Sequence, residues 1–196
     1  MFEGSDGGLP QITSNVDLGT VAYGNPYPSS WPLFVAYAYE ATTNYLAPGA
    51  TSSYPWPTFV EGWTTSLPSA TSPIEPPVGV VQSPLINGAN FFSNLKRVGL
   101  TPLLEWSAPT VGAGTYYNVQ LIQLANIDGY TIPNYIAGFT TQQTSLRVPA
   151  GLLATGETYV VEITSYYIPG LNFSKNPYFL GPTEGFAQVL SGMIRP

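Results

Sequence analysis

The sequence predicts an all-β fold, and three observations support this prediction. The chain has 20 glycines and 20 prolines spread along its 196 residues, and each would cost a helix interior about 1–3 kcal/mol relative to alanine. No long window repeats its apolar residues with the helical period of about 3.6. Short runs instead alternate apolar and polar residues between Gly, Pro and Asn, which is typical of strands joined by turns.

The first half predicts three strands. The first covers Gln11 to Thr20. The second, Leu33 to Thr42, carries apolar or aromatic residues on both faces, so we expect it to be central and covered on both sides. The third covers Pro57 to Ser66. The proline-rich segment Ser66 to Pro77 then has polyproline character and is the predicted domain boundary.

The second half predicts about seven strands at regular spacing. Leu104 and Trp106 alternate with Glu105 and are expected to point inward. Asp128 and Gly129 form a good hairpin turn between two strands. The predicted strand segments are 78–86, 101–108, 115–124, 135–140, 145–148, 152–167 and 185–194, and in the third of these Tyr117, Val119 and Leu121 share one face.

The segment Leu152 to Tyr167 begins as a glycine turn and continues as a strand with strict alternation, which predicts one buried face. Leu153, Gly156 and Tyr159 have the spacing of a tyrosine corner, in which the ring packs inward and its hydroxyl bonds to the preceding backbone. The residues of the two faces are Tyr159, Val161 and Ile163 on one side, and Val160, Glu162 and Thr164 on the other.

Residues 78–196 resemble a fibronectin type III domain. The matching features, in family order, are Leu104-Glu105-Trp106-Ser107-Ala108-Pro109, Tyr117-Asn118-Val119-Gln120-Leu121, Ser145-Leu146-Arg147-Val148-Pro149 and the corner at Tyr159. The version resembled is the divergent one of bacterial secreted and surface proteins. The long aromatic segment Tyr166 to Phe186 departs from the family, and no Arg-Gly-Asp tripeptide is present.

The resemblance implies a fibronectin type III or immunoglobulin-like β-sandwich in residues 78–196. Residues 1–77 resemble no family. They are predicted to form a smaller β-rich unit docked onto the sandwich, because a unit of this size has a marginal core without disulfides or metals, and the chain has no cysteine.

Charge and composition exclude several classes of partner. Charged residues make up only 8% of the chain, and the net charge is −6, so phosphate contacts to nucleic acid are not expected. No apolar run is long enough to insert into a membrane. The first eight residues lack the features of a signal peptide, which fits either a cytoplasmic protein or a processed one. The low charge favours an extracellular or cell-surface protein.

Catalysis is not expected. The chain has no histidine, which removes the commonest general base and most catalytic triads. Glu105 and Glu162 are expected to point outward from opposite sheets, too far apart for a glycosidase pair. The carboxyls of the first half, Glu40, Glu61 and Glu75, remain open as partners. No spacing matches a metal-binding loop, so neither a metal nor a cofactor is predicted.

Aromatic side chains are the richest candidates for binding. Those of the first half could form a stacking platform for sugar rings or pack between the halves, and those after Tyr166 could form a folded-back loop or a patch for a partner. The candidates are Trp31, Trp56, Trp63, Tyr37, Tyr39, Tyr167, Phe173 and Tyr178.

The predicted function is that of a non-catalytic extracellular structural or adhesive module, or a subunit of a surface or filamentous assembly. Its partners would be another protein or further copies of itself. The alternative is a carbohydrate-binding module that holds a polysaccharide with exposed Trp and Tyr.

Overall fold

A computed structural model describes residues 26–31, 35–64, 75–112, 114–172, 175 and 184–196. These residues form strands, turns and loops without a helix, so the all-β prediction is confirmed. None of the described segments is a helix able to cross a membrane. The predicted strand at Gln11 to Thr20 lies outside the described residues.

Twelve strands are found in the described part of the chain. They are β1 Val35–Tyr45, β2 Tyr54–Thr64, β3 Gln82–Ile86, β4 Ala89–Asn90, β5 Leu95–Lys96, β6 Leu103–Ser107, β7 Tyr116–Ile127, β8 Tyr130–Thr141, β9 Ser145–Arg147, β10 Tyr159–Tyr167, β11 Gly185–Leu190 and β12 Ile194–Arg195.

The strands form two sheets. The larger has the order β8-β7-β10-β11-β2-β1, and every neighbouring pair in it is antiparallel. The short β12 also pairs with β10, and β5 runs parallel to β12. The smaller sheet has the order β4-β3-β6-β9 and is antiparallel throughout.

The main core lies between the two sheets. Trp106 of the smaller sheet packs edge-on against Tyr117 of the larger, with 5.4 Å between ring centroids. The residues predicted to point inward are buried as expected, including Leu104, Val119 and Leu121. Two sheets that bury their facing side chains against each other have the layout of a β-sandwich.

The predicted tyrosine corner is confirmed. Tyr159 is 2% exposed, and its hydroxyl oxygen accepts a hydrogen bond of 2.9 Å from the Ala154 N–H. The predicted hairpin turn is also confirmed: Asp128 and Gly129 have φ of 52° and 86° and connect β7 to β8. Positive φ at both central residues is the geometry of a type I′ turn.

By its internal contacts the chain divides into compact units of residues 1–32 and 33–196. The strands β1 and β2 therefore group with those that follow residue 77. They join the larger sheet where Val60 to Gly62 of β2 pair with Gly185 to Ala187 of β11. The strands β1 and β2 thus extend this sheet.

The hairpin β1–β2 also covers the outer face of the larger sheet, the face turned away from the smaller sheet. Tyr45 and Trp56 form a second core with Ile122 and Val160. The turn between β1 and β2 is held at the tip of the β7–β8 hairpin, where the Thr51 N–H donates to the Gly129 carbonyl at 2.8 Å. The sandwich therefore gains a third layer over part of its larger sheet.

Two predictions about burial are wrong. The strand predicted to be central, β1, lies at the end of the larger sheet, and most of its side chains are exposed on both faces. The strand predicted to have one buried face, β10, is buried on both from Tyr159 to Ser165. The reason in both cases is the hairpin, because β2 covers β10 and leaves β1 outermost.

The tyrosine corner allows a test of the fold. Tyr159→Phe keeps the buried ring and removes the acceptor of the Ala154 N–H, so we expect the free energy of unfolding to fall by about 1 kcal/mol. Denaturant unfolding measures this loss. Tyr130→Phe, on a ring that is mostly exposed, is the control and should change stability by less than about 0.5 kcal/mol. Equal effects of the two changes would contradict a structural role for the corner.

Candidate binding cleft

A cleft of about 320 Å³ lies where β2 crosses the outer face of the larger sheet. Because the strands of that sheet are in register, alternate residues of neighbouring strands converge on this face. Its walls are mainly aromatic, and its polar groups besides the tyrosine hydroxyls are two amides and one carboxyl. The lining side chains are Tyr54, Trp56, Pro57 and Phe59 of β2, Gln120 of β7, Tyr135 of β8, Glu162 of β10, and Phe186 and Gln188 of β11.

Glu162 is the buried carboxyl of the cleft. It is 5% exposed, although its strand neighbours Val161 and Ile163 point to the opposite face and into the main core. Its Oε1 accepts hydrogen bonds of 3.3 Å from the Thr164 hydroxyl and from the Gln188 amide. The indole of Trp56 is a third hydrogen-bond partner. All three partners are neutral groups.

The amide of Gln188 is held in one orientation. Its Oε1 accepts the Phe59 N–H at 3.1 Å, and its Nε2 donates to Glu162. A flipped amide would place its NH₂ against a donor and its oxygen against a carboxyl oxygen. The amide therefore connects the backbone of β2 to the carboxyl of β10 and fixes how the hairpin lies over the cleft.

Burial raises the pKa of the Glu162 carboxyl, and the hydrogen bonds from Thr164, Trp56 and Gln188 oppose this rise only in part. Desolvation disfavours the charged form of an acid. Burial also raises the pKa of Tyr135 and of Tyr166, and the nearby Glu162 adds to both shifts. In the described part of the chain no basic side chain offsets the negative charge of Glu162.

The wall of the cleft is built around Trp56. Its ring lies 5.5 Å from that of Tyr54 and 5.9 Å from that of Tyr135, at interplanar angles of 66° and 58°. Trp56 itself is buried, and Tyr135 is 61% exposed. Rings set at such angles pack at a tilt rather than stacked face to face, and all three rings line the cleft.

The chemistry available in the cleft is that of one carboxyl, two amides and several rings. Glu162 is its sole lining acid, and Glu105 lies on β6 in the smaller sheet, as predicted. Two carboxyls about 5–9.5 Å apart are needed for glycoside hydrolysis. No group of three metal-ligating side chains occurs among the described residues. The arrangement is suited to binding.

The aromatic residues singled out in the sequence are distributed over several surfaces. Trp56 lines the cleft. Trp63 is half-buried and packs against Phe186 with 5.9 Å between centroids. Since seven residues separate Trp56 and Trp63 on the regular strand β2, their side chains leave opposite faces of it. Tyr39 is 57% exposed on β1.

The five other candidates lie elsewhere or outside the described residues. The hydroxyl of the half-buried Tyr37 donates to the Glu75 carbonyl at 2.9 Å. Trp31 is exposed and stacks on Tyr27 at 5.6 Å within the first compact unit. Tyr167 is partly buried at the end of β10. Phe173 and Tyr178 lie outside the described residues.

The sequence pattern predicts Glu162 on the outer face of its strand, and in the structure this face is covered. Gln120, Tyr135 and Gln188 were not among the predicted site residues. A signal was available in the strand Tyr-Val-Val-Glu-Ile-Thr-Ser, where β-branched residues occupy both faces. A nearly continuous apolar strand is typical of a strand buried on both sides.

Comparison of the chain with models of protein families, with curated proteins and with solved structures yields no match.

The buried acid allows a prediction about pH and stability. Because the folded state raises the pKa of Glu162 above its unfolded value, the stability it contributes is present at acid pH and lost as pH rises through the folded pKa. We expect Glu162→Gln to match the wild type at acid pH and to have the higher Tm at neutral pH. Each 1 kcal/mol gained corresponds to about 2–4 °C in a chain of this size.

Thermal unfolding at several pH values measures this difference. Glu40→Gln removes the same formal charge from an exposed position on β1 and controls for the change in net charge. If the Tm of the wild type instead rose relative to that of Glu162→Gln as pH increased, the assignment would be contradicted. Such a result would mean that the folded state favours the ionised carboxyl.

Proposed function

We propose that this chain is a non-catalytic, fibronectin type III-like extracellular module that joins further copies of itself through the edges of its larger sheet. The strand order supports the family resemblance. In immunoglobulin-like sandwiches strands A, B and E form one sheet and C, F and G the other. With β3, β6 and β9 as A, B and E, and β7, β10 and β11 as C, F and G, both sheets follow this layout.

The proposed assembly is supported mainly by β1, a long edge strand with little protection against pairing. This strand of 11 residues pairs only with β2 among the described residues, and from Ala38 to Asn44 every side chain is exposed. It contains one charged residue, Glu40, and no proline. Proteins usually protect an edge strand with charges, prolines or a covering element. A long edge without such protection is a site for strand addition.

The opposite edge of the same sheet is similar in length and low charge, but it contains one proline, Pro133, and a bulge opposite Leu121 and Ile122. β8 has 12 residues and no charged side chain. In the described part of the chain it pairs with β7, and only its first two residues also contact the turn near Ser52. The larger sheet thus ends in two long strands of nearly equal length and low charge, each with backbone groups available to another chain.

Strand direction favours a head-to-tail junction between these edges. The six strands from β8 to β1 alternate in direction, because each neighbouring pair is antiparallel. In a second copy with the same orientation, β8 therefore runs opposite to β1 of the first. Antiparallel pairing continues across the junction, and one free edge remains at each end. A heterologous contact of this kind does not close on itself and produces a filament.

The experiment places one lysine on either edge. Thr42→Lys on β1 and Thr140→Lys on β8 each put a charge on an exposed edge position, and edge lysines oppose strand pairing. We expect the wild type to form a concentration-dependent series of oligomers in size-exclusion chromatography with light scattering. Each variant alone should be monomeric. Gln143→Lys, in an exposed turn, is the charge-matched control and should assemble like the wild type.

A mixture of the two variants tests the head-to-tail geometry. Thr42→Lys keeps a working β8 edge, and Thr140→Lys keeps a working β1 edge, so an equimolar mixture should form a dimer and stop there. If β1 paired with β1 of another copy, Thr140→Lys alone would dimerise. A wild type that stays monomeric at high concentration would overturn the proposal.

Polysaccharide binding, the alternative function, stays a prediction. It expects Trp31, Trp56 or Trp63 to be exposed on one flat face. Trp31 is 61% exposed, whereas Trp56 is 5% exposed and Trp63 lies on the other face of β2. The observations therefore favour assembly as the main function.

A further inference from the structure

We propose that the cleft binds a quaternary ammonium group, with the Glu162 carboxylate as its counter-ion and the rings of Trp56 and Tyr135 as its apolar wall. This proposal concerns a small-molecule site and does not depend on assembly. It begins from the buried carboxyl, for which the described residues supply hydrogen bonds but no opposite charge.

A buried carboxylate is costly unless an opposite charge lies nearby. The titratable groups that face Glu162 are tyrosines: Tyr45 of β1, Tyr135 of β8 and Tyr166 of its own strand. These groups can only become negative. The strands β7 and β11 contribute neutral amides to the cleft, Gln120 and Gln188. The missing positive charge can therefore come from a ligand that enters the cleft.

The lining favours an alkylated ammonium over a metal ion or a primary amine. Calcium takes about 6–8 oxygen ligands, and the cleft has one carboxyl. A primary ammonium brings three N–H donors that need acceptors. Here Glu162 Oε1 already accepts two hydrogen bonds, and Gln188 Oε1 accepts the Phe59 N–H.

A quaternary ammonium group has no N–H to satisfy. It gains from the negative carboxylate and from aromatic faces, each cation–π contact being a favourable interaction that is strongest with tryptophan. The rings of Tyr54, Trp56 and Tyr135 line the cleft together with the carboxyl, so a cation bound there lies beside both. The cleft, at about 320 Å³, is near the lower limit of small-ligand pockets, which suits a single head group.

The test uses choline as the probe and the full chain labelled with nitrogen-15. The indole N–H signals of the four tryptophans report separately, and the Trp56→Phe spectrum identifies that of Trp56. We expect choline to shift the Trp56 signal with a Kd in the millimolar range, as for about 4 kcal/mol of binding energy. Sodium chloride at equal ionic strength should leave the Trp56 signal unshifted. The apparent affinity should rise from acid to neutral pH as Glu162 loses its proton.

Two comparisons decide between a cation site and a merely apolar one. Glu162→Gln keeps the shape of the side chain and should weaken choline binding at least about tenfold, whereas Glu61→Gln, which removes a partly buried acid outside the cleft lining, should not. The neutral isostere 3,3-dimethylbutan-1-ol should bind the wild type no better than choline binds Glu162→Gln. Equal binding of the isostere, or choline binding unaffected by Glu162→Gln, would overturn the proposal.

Discussion

The structure depends on the burial of β10 on both of its faces. On one side Tyr159, Val161 and Ile163 pack into the core between the sheets. On the other, Val160 packs with Trp56 and Tyr45 of the hairpin β1–β2. Side chains of β-branched residues suit a strand that is covered twice. Each apolar side chain fully buried contributes about 1.5–3 kcal/mol, so this strand ties together three layers of the molecule.

The hairpin that covers the outer face of the larger sheet explains the chemistry of the cleft. Without the hairpin, Glu162 would lie on the open face of the sheet as an ordinary solvated acid. With β2 above it, the same carboxyl is removed from water and is held by neutral donors, one of them Gln188, whose amide also holds the backbone of β2. A covering element that lacks a positive charge thus turns a surface acid into a buried group that favours its neutral form.

Local sequence patterns were enough to predict those features of the fold that depend on residues close together in the chain. The alternation around Trp106 and Tyr117, the Asp128-Gly129 turn and the corner at Tyr159 each depend on residues a few positions apart. The burial of β1 and β10 depends instead on how β2 pairs with β11, more than 100 residues away. Alanine, valine and tyrosine alternate in β1 as they would in a central strand, so composition could not identify it as an edge. The same non-local pairing brings Trp56 to Glu162, and so the cleft was beyond prediction.

The hairpin β1–β2 links the two proposed activities. Its β2 strand supplies Trp56 to the cleft, and its β1 strand is the edge offered to another copy. A two-stranded hairpin is marginal by itself in water, so its position depends on what it contacts. A ligand that joins Trp56 to Glu162 and a partner strand that pairs with β1 both favour the docked hairpin. Two binding events that favour the same conformation strengthen each other, and the coupling is reciprocal. Occupancy of the cleft would then promote addition of the next copy, and addition would raise the affinity of the cleft for its ligand.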